Sequence, residues 1–227
     1  MHPVDGSIWY AVTGPLPGKI VRMERGANAP ATCKAEVYEP PFNNPAAPGK
    51  MGMTPRGIDV DSNGIVWTAL SGSNHLASFD RRKCKVLSGP TATGQHCVEG
   101  WTLYPAPGPR FKGVTDELGT DYFYYNWTDL FDTLGLGRNS QVVTGTWSDS
   151  MLIMPPNSTN WVTLRVPYPM GFYARGVEGR IDDANAGWKG RGLWSSNETR
   201  GSWLTEGGKG TPSQVAQFQL RPDPLAK

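Results

Sequence analysis

The chain lacks any run approaching the roughly 20 apolar residues that span a bilayer, so no membrane-spanning helix is expected. It also lacks a charge bias. Its 22 Lys+Arg against 20 Asp+Glu leave a formal net charge of +2, too weak to argue for nucleic acid or an anionic membrane as partner. Cysteine is scarce, at Cys33, Cys84 and Cys97, and no CxxC or CxxCH pair occurs, which argues against a zinc knuckle or an attached c-type haem. No G-x-S-x-G elbow, HExxH, P-loop or GxGxxG stands in suitable context. The first residues, MHPVDGSIWYAV, have neither a basic n-region nor an apolar h-region, so no signal peptide is expected. Either the mature form starts here or the chain is a piece of a longer one. Long helical periodicity is missing too, with Asp116–Leu136 the exception, where Trp127-Thr-Asp-Leu could pass for a helical turn.

Turn formers and aromatics are abundant. The 28 Gly and 20 Pro are spread throughout rather than pooled in one tail, which suggests many turns between short strands and not disorder. Nine Trp, eight Tyr and seven Phe supply material for a core. Cys84 and Cys97 flank a Gly- and Pro-containing stretch, so a bridge closing that loop in an oxidising compartment and a set of free thiols stand as equal alternatives. Asn126-Trp-Thr, Asn157-Ser-Thr and Asn197-Glu-Thr match the glycosylation acceptor pattern, which carries little weight when the source is unknown.

The chain repeats. Asp5-Gly-Ser-Ile-Trp-Tyr-Ala-Val12 lies without a gap over Asn63-Gly-Ile-Val-Trp-Thr-Ala-Leu70; Tyr125-Asn-Trp-Thr-Asp-Leu130 and Gly192-Leu-Trp-Ser-Ser196 are further copies. Trp9, Trp67, Trp127 and Trp194 are then in phase. Arg56-Gly-Ile-Asp59, Lys112-Gly-Val-Thr115 and Arg175-Gly-Val-Glu178 each precede one of these tryptophans. After the tryptophans come Lys19–Met23, His75–Phe79 and Gln214–Phe218, alternating apolar and polar; further on come Ala35–Tyr38, Trp101–Tyr104 and Trp161–Arg165. Each unit reads as four short antiparallel strands A to D, with the tryptophan on B. The fold class is all-β, a β-propeller of four-stranded antiparallel blades, with repeats at about 1–48, 49–108, 109–172 and 173–227. One small twisted sheet cannot bury both its faces, so blades stack radially and the B-strand tryptophans are expected to fill the layer between them. The first repeat lacks strand A and the last ends after strand C, so the four blades are a closed ring or part of a larger one. Open edges would call for another chain to cover them.

Arg56-Gly-Ile-Asp-Val-Asp-Ser-Asn-Gly-Ile-Val-Trp67, followed by His75-Leu-Ala-Ser-Phe-Asp80, resembles a blade of the streptogramin B (virginiamycin B) lyase-like propellers, relatives of the NHL and gluconolactonase-type propellers. The resemblance is good over about residues 54–105, fair over 4–40 and 174–220, and poor over 106–173. It implies a propeller fold more than an activity. The family's lyases open a cyclic depsipeptide lactone by elimination, with a histidine base and a magnesium ion near the propeller centre, where a metal stabilises a developing enolate. Of His2, His75 and His96, His75 breaks the symmetry between repeats and is the candidate base. The full histidine and glutamate set of the lyases has no match here.

Asp59-x-Asp61-x-Asn63-Gly64 also reads like half of a calcium loop. That loop requires Glu at its twelfth position, where this chain has Leu70, so a turn between strands A and B is the more economical reading. In a propeller the D–A and B–C connections share one face, the binding funnel. Arg56, Lys112 and Arg175 are expected at its mouth as ligand-binding residues, Asp59 and Glu178 below them as oxygen ligands for Mg2+ or Ca2+, and His75 and Glu198 in or beside B–C loops. The bland alternative pairs each of these cations with a carboxylate of the next blade. The Pro-rich stretch Glu39–Gly49 is a D–A connection and a candidate lid or docking loop. Two functions follow: an exported (periplasmic or secreted) module that presents its funnel to a small-molecule or protein ligand, or a divalent-metal-dependent lyase or lactonase acting on a cyclic ester.

Overall fold

A computed structural model describes residues 1–108, 112–113, 121–166, 172, 174–180, 192–197 and 214–220. The chain divides into two compact units, Met1–Asn126 and Trp127–Lys227. All fourteen described strands are antiparallel in four sheets, and the described helical structure is two 3-10 turns, Arg81–Lys83 and Val98–Gly100.

The first unit holds β1 (Ile8–Val12), β2 (Lys19–Glu24) and β3 (Lys34–Tyr38) in one sheet, and β4 (Pro55–Val60), β5 (Val66–Leu70), β6 (His75–Phe79) and β7 (Trp101–Pro105) in a second. Both are simple up-and-down meanders. An aromatic layer joins them: Tyr38 lies 4.6 Å from Phe79, Phe79 lies 4.9 Å from Trp101, and Trp9 stacks on Tyr38 at 6.0 Å. All four rings are buried. Each ring removes roughly 150–250 Å² of apolar surface from water. The Cys84–Cys97 alternative that the structure adopts is the bridge, and Cys33 is free and exposed.

The second unit contains β9 (Ser140–Gly145), β10 (Ser150–Met154) and β11 (Val162–Arg165), which continue a sheet begun by β8 (Phe123–Asp129), the strand through which the division runs. Its other sheet is β12 (Val177–Arg180), β13 (Gly192–Asn197) and β14 (Gln214–Phe218). Its core gathers Leu134, Val142, Met151, Ile153, Phe172 and Leu193.

Three expectations need correction. Trp127 lies on the first strand of its sheet, whereas Trp67 and Trp194 lie on second strands. The cause is local. Asp129 ends β8 by accepting the N–H groups of Phe131, Thr133 and Leu134, as Asp61 ends β4 by accepting those of Asn63 and Ile65. The matching pair is therefore Trp127-Thr-Asp129 with Asp59-Val-Asp61, one strand earlier than the identity of Trp-Thr suggested. For the same reason the described part of Asp116–Leu136 is a strand and a turn, with no helix. Lastly, Trp9 alone of the four aligned tryptophans belongs to the buried aromatic layer. Trp67 is half-buried against Tyr104 at 5.6 Å, and Trp194 is 39% exposed.

The start of β4 shows what holds neighbouring strands in place. Its pairing with β5 jumps from Pro55–Leu70 to Ile58–Thr68, a bulge at Arg56-Gly57. Beside the bulge, the N–H of Ala69 and the C=O of Trp67 each take a side-chain partner. The Asn126 side chain from β8 supplies both: its Oδ1 accepts from Ala69 at 3.1 Å and its Nδ2 donates to Trp67 at 3.2 Å. Thr68 Oγ1 donates to the Gly57 carbonyl at 2.6 Å. A Cβ on Gly57 would stand 2.5 Å from the Asn126 nitrogen and 2.8 Å from Tyr125 Cα, so glycine is required here by backbone approach. The Arg-Gly step recurs in the second unit, where Ser195 Oγ donates to the Gly176 carbonyl at 2.8 Å.

Asn126→Ala removes a side-chain partner from two peptide groups of β5, and a buried group left unsatisfied costs about 1–3 kcal/mol. The expected result is a loss of at least about 2 kcal/mol in urea unfolding, and Asn126→Asp should also destabilise, since a carboxylate cannot donate to the Trp67 carbonyl. A change within experimental error in both variants would overturn this account.

Candidate functional site

Strand direction places Arg56 at the entry of β4, Tyr122 and Tyr124 at the entry of β8, and His75 at the entry of β6. These are the D–A and B–C ends of the first unit's strands. Arg56 Nη1 donates to the Tyr124 hydroxyl at 2.9 Å, and its guanidinium carbon lies 4.5 Å from the Tyr124 ring centroid. That is cation–π distance. Tyr124 in turn packs on Tyr122 at 5.8 Å and on Tyr125 at 5.1 Å. Tyr125 is 38% exposed and the others are half-buried. Counting back five residues from Asp129, as from Asp61 to Arg56, Tyr124 takes in its sheet the place Arg56 holds in the preceding one. The result is a cation covered on one side by an aromatic cluster, able to receive an anionic or π-rich group.

The candidate residues fare differently. Among the described residues Arg56 pairs with a tyrosine and with no carboxylate. Lys112 lies in an exposed turn, and it does not occupy the Arg56 position, which Tyr124 fills. Arg175 is half-buried, and its N–H donates to Ser196 Oγ at 3.2 Å. His75 is the first residue of β6, as the strand pattern places it, opposite Leu70 and Pro105, but it is only 1% exposed and so packed rather than open to a funnel. Its burial follows from β6 being the third of four strands, covered along its whole length. Asp59 is half-buried and accepts the N–H of Val60 at 2.8 Å. Glu178 is exposed on β12 in the other compact unit. Glu198 lies outside the described residues. Among the described residues no three His, Cys, Asp or Glu side chains lie close enough together to hold a metal ion. His96 lies in the C–D connection and stacks on Tyr38 at 5.2 Å.

The half calcium loop is a turn. Asp61 Oδ1 accepts from Asn63 at 2.8 Å and Ile65 at 3.0 Å, Oδ2 accepts from the Trp67 indole at 3.0 Å, and Gly64 has φ +79°. Both carboxylate oxygens are thus committed to the turn and to fixing Trp67, and the residue is 4% exposed.

No protein-family model matches the chain, and no curated protein does. Among solved structures, a streptogramin B lyase matches 99% of this chain and 54% of its own, with a TM-score of 0.52 at 13% identity. A virginiamycin B lyase from Staphylococcus aureus matches 99% of this chain and 55% of its own, with a TM-score of 0.50 at 14% identity. The shared feature is the β-propeller fold. The chain spans about half the length of these solved propellers, and at such identity the likeness fixes the fold and leaves activity open.

The opposite strand ends of the first unit, where A–B and C–D connections lie, carry a charge network. Buried Arg22 contacts Asp5 at 2.8 Å, Glu24 at 3.2 Å and Glu36 at 3.3 Å. Arg81, from the second sheet, grips Glu36 through Nε and Nη2, both at 2.6 Å, and the Tyr38 hydroxyl donates to Glu36 at 2.7 Å. Burial alone would raise the Glu36 pKa, but the Arg81 and Tyr38 hydrogen bonds and the two guanidinium charges hold it below the usual glutamate value. Asp5 is likewise held low: burial opposes ionisation, and the Ser7 hydroxyl and N–H together with Arg22 outweigh it. Tyr38 is pushed up by burial and by the bond to Glu36.

A carboxylate whose folded pKa is depressed contributes stability that is present above its unfolded value and lost as pH falls toward the folded one. Unfolding midpoints should therefore hold steady near neutrality and fall below about pH 4.3, the unperturbed glutamate range. Glu36→Gln should lower stability at pH 7 and flatten that acid limb. An acid limb identical to wild type would show that Glu36 contributes nothing to it.

Proposed function

We propose that this chain is a β-propeller binding module whose recognition surface is the Arg56–Tyr122–Tyr124–Tyr125 cluster at the D–A end of the first unit. The carrying observation is the guanidinium of Arg56, held over Tyr124 and bonded to its hydroxyl. A cation fixed in this way presents its remaining donors with little entropy left to lose on binding. The ligand class that fits is a small molecule or peptide segment carrying a carboxylate or carbonyl-rich group beside an apolar or aromatic one. The Cys84–Cys97 bridge supports an exported, oxidising location.

A second reading, a metal-dependent lyase or lactonase acting on a cyclic ester, is favoured by the fold likeness to the streptogramin B lyases. In it His75 would be the base and Asp59 an oxygen ligand for Mg2+ or Ca2+ within the first unit, while Glu178, the other candidate ligand, belongs to the second unit. Burial of His75 weighs against its reaching a substrate proton in this conformation.

The two readings separate in one assay with a cyclic depsipeptide lactone as probe. For a binding module, the probe raises the melting temperature without being consumed, and Arg56→Ala or Tyr124→Ala reduces affinity at least tenfold. A probe at about 100 times its Kd stabilises by about 2.7 kcal/mol, well within detection. Ring opening that stops on adding chelator and in His75→Ala would overturn the module reading in favour of the enzyme. A stabilising effect unchanged in both Arg56 and Tyr124 variants would sink the proposed surface.

A further inference from the structure

The C–D connection of the second sheet, closed by the Cys84–Cys97 bridge, does more than cover its own blade. Its tip reaches the Pro-rich connection that leaves the first sheet after β3. Gly94 accepts the Glu39 N–H at 2.8 Å. Gln95 clasps Phe42 from both sides: Oε1 accepts the Phe42 N–H and Nε2 donates to the Phe42 carbonyl, each at 3.1 Å. The Gln95 carbonyl accepts from Asn44 Nδ2 at 3.3 Å. His96 stacks on Tyr38. A Cβ on Gly94 would stand 2.7 Å from the Glu39 carboxyl carbon, and Gly94 has φ +102°, so the tip is shaped for this contact. Pro41 then bonds onward to Gly52, whose missing Cβ leaves room for Leu70 and Pro40.

Without the bridge, a 21-residue connection between β6 and β7 (residues 80–100) would have to keep Gly94, Gln95 and His96 in place through these few hydrogen bonds and one ring contact. The bridge shortens the free loop to the 12 residues between Cys84 and Cys97 and places Gln95 two residues from a fixed point. We propose that the Cys84–Cys97 strap is a redox-sensitive clasp on the Pro40–Lys50 connection: oxidised, it holds that connection against the second sheet; reduced, it releases it while both sheets stay folded. Half-buried Cys84, flanked by Lys83 and Lys85, is the accessible sulfur, and Cys97 is buried beneath Gly100. A dithiol reductant attacks Cys84 Sγ as its thiolate, and Cys97 leaves and takes up a proton. The second thiol of the reagent then closes its own disulfide and frees Cys84 as a thiol. Two electrons and two protons pass from the dithiol to the protein.

Amide hydrogen exchange on the full chain, with and without a dithiol, tests this. The expected result is at least tenfold faster exchange at Glu39, Phe42 and Gly52 on reduction, with β2, β5 and β6 still protected. Gln95→Ala in the oxidised protein should loosen Phe42 in the same way while leaving the bridge formed. Unchanged exchange at Phe42 on reduction would overturn the proposal. So would loss of protection throughout the first unit, which would make the bridge a general staple, or a Gln95→Ala protein indistinguishable from wild type.

Discussion

The bulge at Arg56-Gly57 draws on a side chain of β8. A strand that skips a register step locally disrupts its ladder, and buried peptide groups are almost always paired. Here the amide of Asn126 adds to the ladder beside the bulge, its oxygen accepting from Ala69 and its nitrogen donating to the Trp67 carbonyl. The contact works only because Gly57 has no side chain to hold β8 away. One residue pair therefore does three things at once. It adds to the ladder of β5, it fixes how closely β8 approaches β4, and it aims Arg56 away from the sheet and onto Tyr124.

Asp61 and Asp129 apply a second constraint of the same kind. Each is buried, each spends its carboxylate on successive N–H groups of the following turn, and each thereby ends a first strand. A carboxylate whose oxygens already accept two or three N–H donors has little left to offer a cation. That explains how a motif shared with calcium loops serves as a turn here. It also accounts for the repeat's persistence, because a turn built on a side chain tolerates change elsewhere in the strand more readily than one built on packing.

Strands in the first unit were legible because they alternate or carry Trp, Arg-Gly and Asn-Gly markers, and β2, β4, β5, β6 and β7 fall where the pattern put them. β9 and β10 were missed. Every residue of both is buried, so their sequences, Ser-Gln-Val-Val-Thr-Gly and Ser-Met-Leu-Ile-Met, show no alternation to detect. The misplacement of Trp127 has another root: a two-residue identity, Trp-Thr, outweighed the aspartate that sets the strand end. At the candidate site, Arg56 was visible as one member of a repeated set, but its partner was not. Tyr122, Tyr124 and Tyr125 lie in the stretch where the repeat is weakest, and only the run Asp121-Tyr-Phe-Tyr-Tyr125 hinted at them. The burial of His75 was invisible because its neighbours Asn74 and Ser73 read as loop.

Repetition and function pull in opposite directions in such a chain. Positions that hold the sheets recur: Gly57 with Gly176, Thr68 with Ser195, Asp61 with Asp129. The proposed recognition surface needs a difference between repeats, since a ligand meeting equivalent groups in every blade has no preferred orientation. The Arg56 position supplies that difference. It is arginine in the second and fourth sheets and tyrosine in the third, and within the first unit the arginine of one sheet lies against the tyrosine that replaces it in the next. The charge network at the other strand ends has no such freedom, because Glu36 is held between Arg22 and Arg81. One end of the unit is thus committed to holding two sheets together, and the asymmetric end is the one on which the proposed recognition surface rests.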